Sequence, residues 1–290
     1  MAAADDIKIA IETDADLHGP VAEVVLAGLV AFNTAALPPS TGRFAVLARD
    51  AATGGLRAGV SVGLTGPTAV CAWGAWSDDT AVGDALIPHV LARAEVEAAR
   101  RGATTLAFYV RPGAPWPAGD GWEVLARAER HDAGLDYVVL VKRIADGRPP
   151  AAPPEASIEV AEPPSRPLGQ ELWRRGDAYR QRRLGVPVRW SSGVARRDGK
   201  VVAGALCRIV GGDLMLDMMW VDEGLRGRDV GRRTLQAALD AGRAAGCVRA
   251  ATETLDCQAL GFYRKLGFEN YAYCPVPVEG AGMHFLQMRL

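Results

Sequence analysis

The pattern of apolar and polar positions is clearest in the second half of the chain. Leu214–Val221 is an almost continuous apolar run, which is typical of a strand buried on both faces. Apolar residues at helical spacing predict a helix over Gly231–Ala245. The other predicted elements of this half are a helix over Leu168–Arg183, strands at Val194–Ala195, Val201–Ile209, Val248–Leu255, Tyr271–Cys274 and His284–Arg289, and a short helix over Gln258–Leu266. Helices and strands alternate, which predicts an α/β fold (α+β, with a mixed sheet).

The chain contains an internal repeat. Residues 76–79 (Trp-Ser-Asp-Asp) align on residues 220–223 (Trp-Val-Asp-Glu), and the alignment continues without a gap. Matching small and apolar positions follow in the same order: Gly83 on Gly227, Leu91 on Leu235, Ala94 on Ala238 and Gly102 on Gly246. Residues 145–156 between the copies are rich in proline and alanine, which predicts a semi-extended linker. We therefore predict a duplicated domain, with units at 1–144 and 157–290.

Composition and charge narrow the class of protein. A length of 290 residues suits two domains, and 49% hydrophobic with 23% charged residues is typical of a globular protein. The net charge of -1 provides no overall field for nucleic acid or acidic lipid. We find no positively charged leader and no apolar run of about 18 residues, so we expect a cytoplasmic protein. The five cysteines are scattered without CxxC pairs, which favours reduced thiols.

The loop Arg226–Gly231 joins the predicted buried strand to the predicted helix and is rich in glycine and arginine. The first amides of a helix have no intrahelical partner, and the helix dipole adds partial positive charge there. Such a loop can hold a pyrophosphate. Gly227 and Gly231 let phosphate oxygens approach the backbone closely, because no Cβ intervenes.

This loop resembles the pyrophosphate motif Gln/Arg-x-x-Gly-x-Gly/Ala of the GCN5-related N-acetyltransferase (GNAT) superfamily. Arg226 and Gly231 occupy the outer positions of the motif, whereas Asp229 stands at the inner glycine position. Aspartate adopts left-handed backbone angles more readily than most residues, so the loop can keep its shape if the carboxylate points away from the phosphates. The block Asp256–Phe268 is similar to the family's downstream motif, in which a tyrosine, here Tyr263, precedes a Lys-Leu-Gly-Phe run.

The resemblance implies two tandem GNAT-like domains, each a central mixed, largely antiparallel sheet flanked by helices. It also implies that acetyl-CoA binds to the second domain, with an amide near Met219 facing the thioester oxygen, where negative charge grows during attack. The implied cofactor-binding residues are Met218, Met219, Trp220, Val221, Arg226, Gly227, Arg228, Asp229, Val230, Gly231, Arg232 and Asp256.

Two catalytic roles follow from the resemblance. Tyr263 matches the family's general acid, which protonates the departing thiolate; the alternative is that Tyr263 only packs its helix against the sheet. Asp217 is the carboxylate within Leu214–Val221 and is the candidate base, while Glu253 on the adjacent strand is the competitor. The choice between the two carboxylates stays open at this point.

Other charged residues are assigned to the surface. The predicted helix Leu168–Arg183 carries five arginines, and we expect a charged outer face and not a site for an acidic substrate; they are Arg174, Arg175, Arg180, Arg182 and Arg183. None of the four histidines has a metal-like partner spacing, so we expect no metal.

The first unit lacks the chemistry of the second. Val82 stands where Arg226 stands, and Ile87 stands where Gly231 stands, so a branched side chain fills space that a phosphate needs. Residues 111–122 carry no tyrosine. We therefore predict a degenerate domain that keeps the fold without the site.

The sequence thus predicts an acetyl-CoA-dependent N-acetyltransferase that acts on a small-molecule amine, with a role in secondary metabolism or resistance. We expect a monomer or homodimer without nucleic-acid or membrane partners. Two alternatives remain: a non-catalytic acyl-CoA-binding regulator or scaffold, and a protein N-acetyltransferase.

Overall fold

The computed structural model describes residues 7–13, 15–37, 42–71, 74–111, 117, 120–144, 151–162, 164–275 and 282–290. The helices within these residues are α1 (Pro20–Ala36), α2 (Ala81–Arg100), α3 (Arg166–Leu184), α4 (Val230–Ala244) and α5 (Leu260–Lys265), with a short 3-10 helix at Glu223–Leu225. The strands are β1 (Lys8–Glu12), β2 (Gly42–Asp50), β3 (Leu56–Thr65), β4 (Thr68–Cys71), β5 (Ala75–Ser77), β6 (Thr105–Val110), β7 (Glu123–Asp132), β8 (Leu135–Arg143), β9 (Ala156–Ala161), β10 (Val188–Trp190), β11 (Ser192–Arg197), β12 (Lys200–Val210), β13 (Asp213–Val221), β14 (Arg249–Leu255), β15 (Glu269–Cys274) and β16 (Met283–Arg289).

The strands form two sheets of eight strands each. Sheet A has the order β1-β11-β12-β13-β14-β16-β15, and β10 pairs with β12. Sheet B has the order β7-β8-β6-β4-β3-β2-β9, and β5 pairs with β3. Each sheet contains one parallel pair, β13 with β14 in sheet A and β4 with β6 in sheet B, while its other described pairs are antiparallel. The predicted pair of mixed, largely antiparallel sheets flanked by helices is therefore confirmed.

The elements predicted in the second half are also confirmed, with boundaries within about two residues. The hairpin between β11 and β12 turns at Asp198 and Gly199, whose φ angles are 51° and 75°. Two successive left-handed residues give a turn whose twist matches that of the flanking strands.

Sheet membership does not follow the order of the chain. Strand β1, from the first unit, pairs with β11 in sheet A, from Lys8↔Arg196 to Glu12↔Ser192. Strand β9, from the second unit, pairs with β2 in sheet B, from Ala45↔Ala161 to Asp50↔Ala156. The first strand of each unit is thus built into the sheet of the other unit.

The first helices are exchanged in the same way. Helix α1 packs on β12 and β13 of sheet A: Gly28 lies under the Trp220 ring, and Gly204 lies against Val25. A Cβ at Gly28 would come 2.1 Å from Trp220 Nε1, so this crossing needs a glycine. Helix α3 packs on β3 and β5 of sheet B, where Tyr179 is buried.

The predicted units 1–144 and 157–290 therefore describe the repeat in the chain but not the sheets. The exchanged strand and helix of each unit lie nearer in sequence to their own unit, so the chain order assigns them to it. Hydrophobic periodicity does not show which sheet a strand or helix joins. Ala156, expected at the end of the linker, begins β9; residues 145–150 of that linker lie outside the described residues.

The two sheets meet through an apolar cluster and buried charges. Tyr109, Ala128 and Tyr137 of sheet B pack with Cys274 and Phe285 of sheet A. None of the described helices is long and apolar enough to cross a membrane.

Removing residues 1–37 should unfold sheet A, because it deletes β1 and α1. Four large apolar side chains that are buried there would be lost: Ile7, Leu17, Val21 and Val25. At about 1.5–3 kcal/mol each, this is roughly 6–12 kcal/mol, comparable with the total stability of a domain. We expect loss of cooperative thermal unfolding and loss of amide exchange protection in β11–β13.

A rearranged chain provides the matched control for this deletion. Residues 7–37 joined by a flexible linker to residues 186–290 contain every strand of sheet A, whereas residues 157–290 alone do not. The rearranged chain should show more exchange protection in β11–β13. Equal protection in residues 157–290 alone would show that sheet A does not need the exchanged element.

Candidate functional site

The two central strands of sheet A separate part of the way along. Strands β13 and β14 pair only from Asp213↔Arg249 to Leu216↔Thr252, although both continue further. The edge of residues 218–221 that faces β14 has no ladder partner within the described part of the chain. Its amide and carbonyl groups are available to an extended ligand.

This opening has two different faces. On one, Leu216 and Ala250 pack with the buried residues of α4; we call this the helix face. On the other, Met215 and Ala251 pack in a separate cluster that lies toward sheet B; we call this the junction face. A ligand in the opening can therefore meet different chemistry from each side.

The predicted phosphate loop follows β13 and ends in the first turn of α4. Gly227 has a φ of 74°, with open space at its Cβ position. The amides of Val230, Gly231 and Arg232 begin the helix, and they donate to no acceptor among the described residues. A Cβ at Gly231 would lie 3.1 Å from Val221 Cγ2, so a side chain there would crowd the loop. Unpaired amides at a helix N-terminus fit a pyrophosphate.

Asp229 keeps the shape of this loop. Its φ is 66°, the left-handed conformation that the missing glycine would have taken. Its carboxylate pairs with Arg232, at 2.5 Å from Nε and 2.6 Å from Nη2, and this contact lowers the pKa of Asp229. Arg232, predicted to bind phosphate, is thus engaged by Asp229. Arg228 is exposed, and its amide donates to Leu225 O at 3.3 Å.

Exchanged elements from the first unit support the loop from two sides. Ile7, just before β1, packs beneath it with Leu225 and Val230. The Phe32 ring of α1 lies 5.5 Å from the Arg226 guanidinium, and Arg226 Nε donates to the Val221 carbonyl at 3.2 Å. Arg226 is therefore held close to the backbone of the separated strand.

The strand residues predicted to bind the cofactor divide between the two faces. Met218 is buried against α1, and the Trp220 ring covers Gly28. Met219 packs on the core of the helix face. The side chains are thus used in packing, so the free backbone edge is the part of this strand that can contact a ligand.

Tyr263 lies on the helix face where the strands separate. It is 6% exposed, and the Thr252 side chain next to it opposes part of the effect that burial has on the pKa of its phenol. Thr252 Oγ1 donates to Leu216 O at 2.9 Å, across the last paired position of the two strands. Burial raises the pKa of Tyr263, so its phenol stays protonated at neutral pH.

Asp256 has structural partners. Its Oδ2 accepts hydrogen bonds from Tyr273 Oη at 3.1 Å and Gly282 N at 2.9 Å, and its Oδ1 lies 2.7 Å from His284 Nε2. These contacts tie the end of β14 to the β15–β16 hairpin. Its role in cofactor binding stays a prediction.

Asp217 lies on the junction face at a β-bulge, because Leu206 pairs with Met218 but Cys207 pairs with Leu216. Its two oxygens accept from Arg208 Nε at 2.8 Å and Nη2 at 3.0 Å. Burial raises the pKa of Asp217 and Arg208 opposes that shift. The predicted base is therefore held in a buried ion pair, and its catalytic role stays a prediction.

The competing carboxylate is held differently. Glu253 Oε1 accepts from Arg111 Nη2 at 2.7 Å, while Oε2 is buried without a partner among the described residues. Both residues line a small, partly open cavity between the sheets. Its lining residues are Arg111, His131, Asp132, Tyr137, Arg180, Arg208, Met215, Leu216, Asp217, Thr252 and Glu253.

The expected charged outer face of α3 is wrong for one arginine. Arg180 is 5% exposed, lines this cavity and donates to Asp177 at 2.6 Å. The helix is exchanged onto sheet B, which turns this side chain toward the junction. Arg174 and Arg175 pair with Glu171 at the more exposed side of the helix.

Sequence reasoning missed the residues that cross the junction. Arg208 bonds to Asp132, 76 positions away, and Arg111 bonds to Glu253, 142 positions away. Distances of this length leave no local pattern. One signal was present: Arg208 is a charge inside the otherwise apolar run Val201–Ile209, where a buried charge needs a partner.

The first unit has no equivalent of the phosphate loop. Helix α2 begins at Ala81, which aligns with Leu225, so helical turns replace the loop. The Thr80 side chain caps this helix by accepting from the Gly83 amide, and Ile87 is buried in the core. Residues 112–116 and 118–119, in the segment without a tyrosine, lie outside the described residues. Within the described ranges, no group of His, Cys, Asp or Glu is arranged to hold a metal ion.

Comparison with known proteins gives consistent findings. A family model described as the acetyltransferase (GNAT) family matches residues 158–268. The blasticidin-S acetyltransferase of Streptomyces morookaense is 33% identical over 93 residues, which are 32% of this chain and 68% of that protein.

Solved structures of acetyltransferases also match parts of the chain. One from Bacillus cereus ATCC 14579 is 26% identical and covers 43% of this chain and 94% of its own, with a TM-score of 0.35. A GNAT family acetyltransferase from Elizabethkingia anophelis, solved with acetyl-CoA bound, is 14% identical over 35% of this chain and 76% of its own, with a TM-score of 0.32.

Asp229→Gly should tighten the binding of coenzyme A. Glycine takes the left-handed conformation without strain, removes a negative charge beside the helix N-terminus and frees Arg232. At an exposed position we expect a dissociation constant lower by about two- to fivefold, measured by calorimetry.

Asp229→Asn is the matched control for the charge, because asparagine also tolerates the left-handed region. If it reproduces the gain, repulsion by the carboxylate is the cause. Unchanged affinity in both variants would place Asp229 away from the phosphates.

Proposed function

The chain belongs to the acetyltransferase (GNAT) family, and we propose that it transfers an acetyl group from acetyl-CoA to a primary amine of a small molecule. The observation that carries the proposal is the loop after β13. Among the described residues, the amides that begin α4 have no acceptor, and they lie directly beside a strand edge without a ladder partner. One ligand can use both features if it joins a pyrophosphate to an extended amide-containing arm, and coenzyme A has that form.

The residues that would hold this ligand lie in sheet A. The amides of Gly227, Gly231 and Arg232, with Arg226 beside them, would bind the pyrophosphate, and the backbone of Met218–Val221 would pair with the arm. When bound, acetyl-CoA supplies the thioester: a C–N bond forms to the amine, the C–S bond breaks and coenzyme A leaves as a thiol.

The chain supplies the protons and the positioning. Tyr263 gives its proton to the departing sulfur from the helix face. Burial raises the pKa of Tyr263, so it is a weaker acid here than a phenol in water. A thiolate in the same dry site is also more basic, so the pKa values of the proton donor and acceptor stay close to each other. The Met219 amide would stabilise the charge that grows on the thioester oxygen.

A base on the junction face takes a proton from the amine. Asp217 and Glu253 are the two candidates from the sequence. Both oxygens of Asp217 are bonded to Arg208, whereas Glu253 keeps one oxygen without a partner among the described residues. An oxygen that is bonded to a guanidinium is less basic than one that is not, so these contacts favour Glu253.

The relative from Streptomyces morookaense is named for blasticidin S, so this compound is the first acceptor to test. The experiment measures thiol release from acetyl-CoA with blasticidin S and a panel of primary amines, and detects the acetylated product by mass spectrometry. Gly231→Ile is the negative control, because its side chain fills the loop and should prevent coenzyme A from binding. Coenzyme A binding without turnover on any amine would favour a non-catalytic regulator, and turnover only on peptides would favour a protein N-acetyltransferase.

Tyr263→Phe should lower turnover by about 10²- to 10⁴-fold, because it removes the acid and keeps the ring. The Michaelis constant for acetyl-CoA should change little, since loop and strand contacts bind the cofactor. Turnover and melting temperature are measured on the same preparation.

Tyr179→Phe is the control, because Tyr179 is buried in sheet B, 1% exposed, and has no role in the proposed site. It should keep wild-type turnover. A Tyr263→Phe enzyme with a lower melting temperature and normal turnover would mean that this tyrosine only packs the core.

A further inference from the structure

Two polar atoms at the junction cavity lack hydrogen-bond partners in the described part of the chain. They are the hydroxyl of Tyr137, whose side chain is 1% exposed, and Glu253 Oε2. Both residues line the cavity. A buried polar atom without a partner costs about 1–3 kcal/mol, so native proteins seldom leave two together without a ligand or water to satisfy them.

The aromatic surroundings hold Tyr137 in place. Its ring meets Phe285 at 5.0 Å and His131 at 5.7 Å in edge-to-face contacts, and Arg111 lies 5.2 Å above it. Tyr137 comes from β8 of sheet B, while Glu253 comes from β14 of sheet A. The cavity is therefore built by both units.

The charged side chains that line the cavity leave one carboxylate oxygen unused. Three guanidiniums (Arg111, Arg180 and Arg208) and three carboxylates (Asp132, Asp217 and Glu253) line it, so their formal charges balance. Both oxygens of Asp132 and of Asp217 are bonded to Arg208, whereas Glu253 Oε2 has no partner among the described residues. Burial lowers the pKa of His131 to about 4, which keeps its ring neutral.

We propose that this cavity is the pocket for the acceptor's amino group, which binds as an ammonium between Glu253 Oε2 and the Tyr137 hydroxyl. The inference rests on the proposed function and names its substrate class: a cationic primary amine. The enclosed part of the cavity has room for about one water-sized group, which suits an unbranched amino head.

The position fits the transfer step. Glu253 follows Thr252, the last residue of β14 that pairs with β13, so the cavity lies beside the point where the two strands separate. Glu253 takes one proton from the ammonium, and the lone pair of the neutral amine then forms the C–N bond. The C–S bond breaks, and the sulfur receives a proton from Tyr263 on the opposite face. The second proton that the nitrogen loses on becoming an amide restores the Tyr263 phenol, and Glu253 releases its proton to solvent, so the transfer yields the amide, the thiol and one proton. Arg111 is a positioning residue that holds Oε1 and leaves Oε2 to the amine.

Tyr137→Phe tests the pocket on the intact chain. The Michaelis constant for the best amine from the panel should rise roughly 3- to 10-fold. Turnover should stay within about twofold of the wild-type value, and the Michaelis constant for acetyl-CoA should not change. The melting temperature should hold or rise, since the variant removes an unsatisfied hydroxyl. Tyr109→Phe is the matched control, because Tyr109 is buried 6.2 Å from Tyr137 but does not line the cavity. A normal constant for the amine in Tyr137→Phe would overturn the proposal.

Binding without catalysis separates this proposal from the proposed function. Calorimetry in the presence of coenzyme A compares butylamine with 1-butanol, which has the same length and no charge. The wild-type protein should bind butylamine and not 1-butanol, and Glu253→Gln should raise the dissociation constant for butylamine by about tenfold or more. Equal binding of the two probes would overturn the pocket even if the enzyme acetylates amines. Butylamine binding without turnover would retain the pocket and overturn the proposed function.

Arg111 is tested by rescue. Arg111→Gln should lower turnover by about tenfold, and Arg111→Lys should restore part of it, because an ammonium can still hold Oε1. Unchanged turnover in both variants would show that Glu253 needs no positioning by the first unit.

Discussion

The reciprocal exchange of the first strand and helix is the constraint on which the rest of the structure depends. Strand β1 closes one side of sheet A, and β9 closes one side of sheet B. Each sheet therefore buries its core only when the other unit is present. Because Ile7 and Phe32 lie beneath and beside the predicted phosphate loop, the exchange connects the stability of sheet A to the shape of this loop. A unit without its own phosphate loop is thus still needed for the loop of the other.

The junction between the sheets concentrates charge that a single unit could not bury. Arg208 is bonded to Asp132 from one unit and to Asp217 from the other; Arg208 and Asp132 are buried, and the Asp217 side chain is 14% exposed. Desolvation of such groups is costly, and a buried ion pair seldom adds much net stability. Loss of one partner leaves an uncompensated buried charge, however, so arrangements of the two sheets that separate these partners are less stable. It fixes the register at which Arg111 reaches Glu253.

Local features of the site were predictable from the sequence, and long-range ones were not. The apolar run of β13 and the glycine spacing after it predicted the strand, the loop and the start of α4, because these depend on near neighbours. The left-handed conformation of Asp229 was also expected from its place in the motif. The β-bulge at Asp217 is a register shift between β12 and β13, and the burial of Arg180 depends on which sheet α3 joins. Hydrophobic periodicity carries neither kind of information.

The comparison of the two units shows how a duplicated fold divides its chemistry. The aligned segments after Trp76 and Trp220 differ in where the helix begins: α2 starts at Ala81, while α4 starts five aligned positions later. In α2 the position aligned with Gly227 is Gly83, whose amide donates to the Thr80 side chain, and the position aligned with Arg232 is Pro88, which has no N–H. In α4 the amides of Gly231 and Arg232 have no acceptor among the described residues. The first unit therefore has a longer, capped helix in place of an anion-binding loop. It contacts the proposed site of the second unit through β1, α1 and the side chains that cross the junction between the sheets.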